Sequence, residues 1–160
     1  MPYIDLLSAD RIVMLVGPDP RNAVLDAAAR LLSGGVPMAN QQIATGLRAR
    51  EQVASTGIGH GVALPHCRSN AYATARGAFL RLGVPVDFSS RDGRPVDLVF
   101  ALCVPGDHEQ QHLLTMAELA ERFSDAGFRE ELRHAGDIAA LRNLLLAPQP
   151  TPDAWHIPAA

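Results

Sequence analysis

Three stretches of the chain have the hydrophobic pattern of β-strands. VDLVFALCV, residues 96–104, is almost continuously apolar, which is typical of a central strand covered on both faces. ARGAFLRLGVPV, residues 75–86, alternates, with Phe79 and Arg81 on one face. The opposite face is predicted to carry Ala78, Leu80, Leu82 and Val84. RIVMLV, residues 11–16, is a shorter run rich in β-branched residues and predicts another strand.

Helical spacing follows the strand predicted at residues 11–16. A helix is predicted between Asp19, a candidate cap followed by proline at the first helical position, and the glycine pair at 34–35. A second helix is predicted to begin near Asn40, with Ile43 and Leu47 facing inward.

Three more helices are predicted after the apolar strand at 96–104. Asp107 follows a Pro-Gly pair and is a candidate N-cap of the first of these helices. Gln110, three residues later, is in the position of the second residue of a capping box. The buried stripe of this helix is predicted to be Leu113, Met116, Ala117, Ala120 and Phe123. Helices over 125–134 and 137–146 follow.

Strands mixed with helices along the whole chain indicate an α/β fold, a mixed β-sheet flanked by helices in a two-layer or three-layer sandwich. A chain of 160 residues, 48% of them hydrophobic, can form one core and is short for two. We therefore expect one domain over residues 1–147. Residues 148–160, PQPTPDAWHIPAA, hold four prolines and are predicted to be a flexible tail.

Charge and composition narrow the functional class. The net charge is −3, all fourteen basic residues are arginine, and no basic stripe appears, which disfavours a nucleic-acid surface. No apolar run is long enough to span a bilayer, and the first residues lack the pattern of a signal peptide, so a cytoplasmic protein without membrane insertion is expected.

Cys67 and Cys103 have no metal-type spacing. Cys103 is predicted to be core, and Cys67 either a half-buried residue under a site or a reactive thiol.

The segment STGIGHGVALPHCR, residues 55–68, is the most unusual part of the chain. Its glycines let backbone N–H groups approach a ligand, often an anion, and Pro65 stiffens the approach to His66. Neutral imidazole is a good nucleophile near pH 7 when one ring nitrogen attacks and the other donates its proton to a fixed acceptor. His60, between two glycines, is interpreted as a rim residue rather than a metal partner of His66.

LRAREQVASTGIGHGVALPHCR, followed by DGRPVDLVFALCVP and the later pair His112-Leu113, resembles the type-2 IIA domains of the bacterial sugar phosphotransferase system. These are the fructose/mannitol IIA domains and their nitrogen-regulatory relative, and the likeness covers roughly residues 5–146. The resemblance implies a mixed sheet flanked by helices. It also implies that His66 is phosphorylated by a phosphohistidine on the carrier HPr or its nitrogen-branch paralogue, that His112 is a second active-site histidine, and that Arg50 supplies positive charge.

Phosphoryl transfer needs an in-line nucleophile and positive or N–H groups around the equatorial oxygens. His66 is the expected nucleophile, His112 lies near a helix N-terminus that favours anions, and Arg50 can add a charge-assisted contact. Hydroxyl and backbone donors are expected from Ser55, Thr56 and Gly57. The alternative for the hydroxyls of Ser55 and Thr56 is that they only cap the loop. No cofactor and no metal are expected.

HEQQH, residues 108–112, matches the His-Glu-x-x-His pattern of zinc proteases. His108 and His112 are one helical turn apart and could face the same ion. His108, however, lies at the frayed start of the helix, and Glu130 and Glu131 belong to a separate predicted helix, so no third ligand is evident. We expect a chance match.

The leading hypothesis is a phosphohistidine carrier that acts mainly as a phosphorylation-state regulator of nitrogen, potassium or carbon metabolism. Its expected partners are an HPr-like phosphocarrier and a downstream regulatory target, with a homodimer possible. The absence of a fused IIB, IIC or HPr segment favours this regulatory branch. The alternatives are a sugar-specific IIA that passes phosphate to a IIB transporter component, a binding module that is not phosphorylated, and, least favoured, a metallohydrolase.

Overall fold

The computed structural model describes residues 3–107 and 109–148. Within those residues the strands are β1 (Ile12–Leu15), β2 (Gly57–Gly59), β3 (Val62–Ala63), β4 (His66–Arg68), β5 (Arg76–Val86) and β6 (Val96–Val104). The helices are α1 (Arg21–Ser33), α2 (Pro37–Val53), α3 (Glu109–Phe123), α4 (Ala126–His134) and α5 (Ile138–Leu146). Two short 3-10 turns, Tyr3–Leu6 and Ala9–Arg11, precede β1.

The strands form one mixed sheet in the order β1-β5-β6-β3-β2, with β4 also paired to β6. β5 is antiparallel to β6 and parallel to β1, whereas β3 and β4 both run parallel to β6. Val62 lies beside Leu98 and His66 beside Leu102, so β3 and β4 follow β6 in one unbroken register. This register places His66 near the carboxyl end of the central strand.

Helices cover both faces of the sheet, which confirms the predicted α/β class and gives three layers. On one face, α1 and α2 pack through residues such as Leu25, Ile43 and Leu47. On the other face, α3, α4 and α5 pack together with the N-terminal turn. Every residue from Leu98 to Leu102 is inaccessible to solvent, as expected for a central strand covered on both sides.

The buried stripe of α3 differs from the predicted one. His112, Thr115, Leu119 and Phe123 face inward, while Leu113 and Leu114 are 69% and 66% exposed. Of the predicted stripe, Phe123 alone is fully buried; Met116 and Ala120 are half-buried and Ala117 is exposed. The prediction failed because the first turns of α3 cover the end of β4 rather than the core, so polar residues occupy their inward positions.

The helix boundaries are close to those predicted, with two corrections. α1 begins at Arg21 with Pro20 as its cap residue, so Asp19 is not the cap and Pro20 is not the first helical residue. α2 begins at Pro37, three residues before the predicted start. Val84, predicted to face inward, is exposed because β5 loses its regular pairing with β6 between Arg81 and Val86.

Two features named from the sequence lie outside the described residues. One is the predicted tail from residue 149 onward, and the other is His108. No helix in the described part of the chain is both long and apolar enough to cross a bilayer.

Asp125 caps α4 through its side chain, and its removal gives a testable change in stability. Its carboxylate accepts from the backbone N–H groups of Gly127 and Phe128 at 2.9 and 3.3 Å. Asp125→Ala is therefore expected to lower the free energy of unfolding by about 1 kcal/mol in urea titrations. Asp125→Asn retains a capping oxygen and should lose clearly less. Equal losses in the two variants would show that the cap is not the cause.

Candidate functional site

His66 opens β4 directly after Pro65, and its ring is half-buried. Its Nδ1 lies 2.9 Å from the carbonyl oxygen of Leu64. A carbonyl can only accept a hydrogen bond, so Nδ1 carries the proton of the neutral ring. Nε2 is then left with the lone pair. The local chain thus fixes both the tautomer and the direction of the nucleophilic nitrogen.

His112 projects inward from α3 toward the same place. The centroids of the two imidazole rings are 5.3 Å apart, with 49° between the ring planes. The Nδ1 atom of His112 is buried and has no hydrogen-bond partner among the described residues. Both histidines line a depression of about 330 Å³, together with Gly46, Arg50, Cys67 and Arg68. The structure therefore brings together His66, His112 and Arg50, as the sequence predicts.

Two guanidinium groups border this depression. Arg50, near the end of α2, donates from Nη1 to the carbonyl oxygen of Ala54 at 2.7 Å. Arg68, at the end of β4, donates from Nη1 to Glu109 at 2.7 Å, and both partners of this pair are more than half exposed. Sequence reasoning did not single out Arg68. The signal was available, because residues two apart on a strand share a face and Arg68 follows His66 by two.

The environment of His66 lowers the pKa of its imidazole. Burial is the largest cause, and the positive charges of Arg50 and Arg68 act in the same direction. The hydrogen bond to Leu64 and the charge of Glu51 oppose the shift without cancelling it. The ring is therefore neutral at pH 7, which leaves Nε2 free to attack.

The pKa of His112 is also lowered, first by burial and then by the charges of His66 and Arg68. Two histidines facing each other cannot easily both be protonated, because each positive ring raises the cost of charging the other. His112 is accordingly a neutral ring with one N–H to donate.

These shifts predict how the protein responds to pH. Both rings are expected to titrate below about 6.5 in the folded protein, which is near their value in the unfolded chain. The unfolded chain then binds more protons in this window, so the free energy of unfolding should fall as pH drops from about 6.5 toward the lowered values. NMR titration of the histidine ring protons measures the two pKa values, and urea titrations at several pH values measure the slope. His66→Gln/His112→Gln should flatten that slope; an unchanged slope would contradict the assignment.

Thr56 is committed to a buried contact. Its hydroxyl and its backbone N–H both donate to the carboxylate of Glu51, which is itself buried at the end of α2. This contact ties α2 to the loop that leads to His66. The sequence did not reveal the buried contact of Glu51 with Thr56, because an acidic residue directly after an arginine resembles an ordinary surface ion pair.

Ser55 and Gly57 are held by their own set of contacts. The Ser55 hydroxyl donates to the carbonyl oxygen of Phe88 and accepts from the Gly57 N–H. A Cβ at Gly57 would lie 2.0 Å from the hydroxyl oxygen of Ser90, so this position needs glycine. Ser55 and Gly57 line a neighbouring depression instead of the one at His66. Direct contact of Ser55, Thr56 or Gly57 with a phosphoryl group stays a prediction.

His60 lies in the turn between β2 and β3 with a φ of 57°. It is exposed, and its backbone N–H donates to Asp92 at 2.8 Å. Its side chain borders the neighbouring depression with Ser55 and Gly57.

The HEQQH segment is only partly described, since His108 lies outside. Glu109 pairs with Arg68. Among residues 3–107 and 109–148, no group of three or more histidine, cysteine or acidic side chains is placed to hold a metal ion.

Comparison with known proteins gives consistent results. Residues 5–147 match the family model described as "Phosphoenolpyruvate-dependent sugar phosphotransferase system, EIIA 2". The chain is 36% identical to a nitrogen regulatory protein of Pseudomonas aeruginosa over 142 residues, covering 88% of this chain and 92% of the relative. It is 33% identical to the nitrogen regulatory protein of Escherichia coli over 134 residues, covering 83% and 82%.

Solved structures support the same assignment. The nitrogen regulatory protein IIA-Ntr of Neisseria meningitidis superimposes with a TM-score of 0.81 at 34% identity, covering 89% of this chain and 98% of that one. IIA mannitol of Escherichia coli gives a TM-score of 0.70 at 20% identity over 87% and 98%, which shows a shared fold. With a family model matched over residues 5–147 and relatives above 30% identity, the chain belongs to the EIIA 2 family of the phosphoenolpyruvate-dependent sugar phosphotransferase system.

Proposed function

We propose that this protein is a cytoplasmic phosphohistidine carrier that accepts a phosphoryl group on Nε2 of His66 from HPr or its nitrogen-branch paralogue. The observation that carries the proposal is the hydrogen bond from His66 Nδ1 to the carbonyl of Leu64, which leaves Nε2 as the free nucleophile beside His112 and two arginines. Family membership supports the reaction class. The match over residues 5–147 also supports a phosphotransfer domain at 1–147, followed by an appended tail at 148–160.

In the transfer step, the lone pair of His66 Nε2 attacks the phosphorus of the donor phosphohistidine. A new N–P bond forms while the donor's N–P bond breaks, and the donor nitrogen recovers its lone pair. The Nδ1 proton stays on His66, where the carbonyl of Leu64 stabilises the positive charge that develops on the ring. Arg50, Arg68 and His112 supply donors for the equatorial oxygens, as phosphoryl transfer requires.

Arg68 must turn from Glu109 to reach a phosphoryl oxygen. The pair is exposed, and such surface ion pairs contribute only about 0–1 kcal/mol. A phosphoryl group carries more charge than a carboxylate and offers three acceptor oxygens, so the exchange favours the phosphorylated site. The Arg68–Glu109 pair thus keeps the guanidinium near the site before phosphate arrives.

Phosphorylation adds about −1.5 to −2 charges at a site that faces solvent. Leu113 and Leu114 stand exposed on α3 directly after His112, so the new charge borders an apolar surface. Partners that contact this region will distinguish the two forms by charge. This supports a carrier whose phosphorylation state regulates a target protein, and the likeness to nitrogen regulatory proteins supports that branch. A sugar-specific IIA that passes phosphate to IIB would share the first step.

The decisive experiment is phosphorylation of the purified protein by phosphoenolpyruvate, enzyme I and either HPr or its nitrogen-branch paralogue. We expect one acid-labile phosphate, mapped to His66 by mass spectrometry under non-acidic conditions, and faster transfer from the nitrogen-branch donor. No phosphate from either donor on a folded protein would reject the proposal in favour of a binding module. Faster transfer from HPr would favour the sugar-specific branch.

A further inference from the structure

The residue after His66 has a close thiol neighbour. Cys67 on β4 is the direct cross-strand partner of Cys103 on β6. Both thiols are free and buried in the core layer between the sheet and helices α1 and α2, so they project from the same face. Neighbouring strands lie about 4.7–4.9 Å apart, which falls inside the Cα–Cα range of about 4.4–6.8 Å in disulfides. The backbone therefore places the two sulfurs within bonding reach.

One of the two thiols is also reachable from the candidate site. Cys67 is 6% exposed and lines the depression that contains His66, whereas Cys103 is 2% exposed. Helix α2 passes over Cys67 at Gly46, where an added Cβ would lie 2.9 Å from the Cys67 Cβ and 3.3 Å from its sulfur. Glycine is needed at this position because α2 packs directly against Cys67. The depression at His66 is the side from which a molecule as small as hydrogen peroxide can approach Cys67.

The two thiols are hydrogen-bonded to each other. The pKa of Cys103 is lowered, mainly because the Cys67 S–H donates to its sulfur, with a further hydrogen bond from Ser69 and the nearby charge of Arg76. The pKa of Cys67 is raised by the same thiol–thiol contact and by burial. Thiolates react with oxidants and thiols hardly do. Because the two sulfurs are in contact, whichever of them is oxidised first has the other as its resolving partner.

We propose that Cys67 and Cys103 form an oxidative modification site, in which hydrogen peroxide produces an intramolecular disulfide that disables His66. One of the two sulfurs, as its thiolate, attacks one peroxide oxygen, the O–O bond breaks, and the departing hydroxide takes a proton to give water and a sulfenic acid. The other sulfur then attacks the sulfenic sulfur, the S–S bond forms and the S–O bond breaks. The second hydroxide takes the proton of the attacking thiol. Two thiols and one peroxide become one disulfide and two waters.

The effect on His66 follows from the shortness of β4. A disulfide holds its two Cβ atoms about 3.8 Å apart, closer than the spacing of neighbouring strands. β4 has three residues, so it must twist to bring Cys67 toward Cys103, and His66 precedes Cys67 directly. A displacement of about 1 Å from a reactive geometry reduces rates by about 10²-fold. This consequence rests on the proposed function, whereas formation of the disulfide does not.

The test compares three samples: reduced protein, protein treated with hydrogen peroxide and then freed of it, and the treated protein after dithiothreitol. Intact mass should show the loss of two hydrogens, peptide mapping should link Cys67 to Cys103, and a non-reducing gel should show monomer. Phosphorylation should be about 10²-fold slower in the oxidised sample and recover after reduction. Cys103→Ser and Cys103→Ala should keep the rate of the reduced protein before and after peroxide.

The readouts separate the possible failures. A disulfide between two chains, oxidation of one cysteine without a cross-link, or an intact cross-link with an unchanged rate would each overturn the proposal. Loss of activity in the Cys103 variants after peroxide would do the same, because the damage would then lie elsewhere. If the reduced protein took no phosphate, the proposed function would be rejected, while the mass measurement would still decide the disulfide.

Discussion

His66→Ala is expected to abolish phosphorylation by either donor. The variant removes the ring whose Nδ1 is held by the carbonyl of Leu64 and whose Nε2 is the only nitrogen so prepared among the described histidines at this site. His112 is not an equivalent nucleophile, since it is buried and its Nδ1 has no hydrogen-bond partner among the described residues to fix its tautomer. The measurement is phosphate incorporation with phosphoenolpyruvate, enzyme I and each donor, followed by intact mass.

Folding of the His66→Ala protein must be shown to be intact for this result to count. The ring is half-buried and makes one hydrogen bond to the backbone, so the variant should lose only about 1 kcal/mol of stability. His60→Ala is the matched control, because His60 lies in the same glycine-rich segment but borders the neighbouring depression. It should be phosphorylated like the unaltered protein. A normally phosphorylated His66→Ala protein would place the nucleophile elsewhere.

The parts of the fold that the sequence predicts well are those in which one physical requirement dominates. Residues 96–104 form a strand covered on both faces, and their almost continuous apolar run predicts this burial. The helix after Asp137 begins where predicted because its carboxylate accepts from the Ala140 N–H, a local contact that needs no knowledge of the rest of the fold. The position of His66 belongs to the same class, since Pro65 directly precedes it and His66 opens the short strand β4.

The misses have the opposite origin, because they depend on what another element places nearby. The inward face of α3 was misassigned because its first turns meet β4 and His66 rather than the core. The buried role of Glu51, which the sequence did not single out, depends on how α2 ends against the loop that carries Thr56. The spacing of Arg68 from His66 puts the two on one strand face, but only the depression that also contains His112 shows that Arg68 lies at the site. In each case the deciding contact joins segments that are distant or separately folded.

His112→Ala is expected to slow phosphorylation of His66 by about 10²-fold while leaving the fold intact. The 5.3 Å separation of the two ring centroids puts His112 beside the transferring group, and its lowered pKa makes it a neutral N–H donor at pH 7. Loss of one preorganised donor to developing charge typically costs about 10²–10³ in rate. Stopped-flow or quench-flow phosphorylation at saturating donor measures the transfer step.

A second substitution distinguishes a donor role from a packing role for His112. His112→Gln keeps an N–H donor of similar reach without the imidazole and should recover part of the lost rate, whereas His112→Leu keeps apolar volume without a donor and should resemble His112→Ala. Leu114→Ala is the control for weaker docking of the phosphate donor, because Leu114 is exposed on the same helix. A variant that only weakens docking should have a higher KM and an unchanged rate at saturating donor. Equal rates for the Gln and Leu variants would show that His112 acts through packing alone. A graded order of histidine, glutamine and leucine would identify the N–H as the group that stabilises the phosphoryl oxygens during transfer to His66.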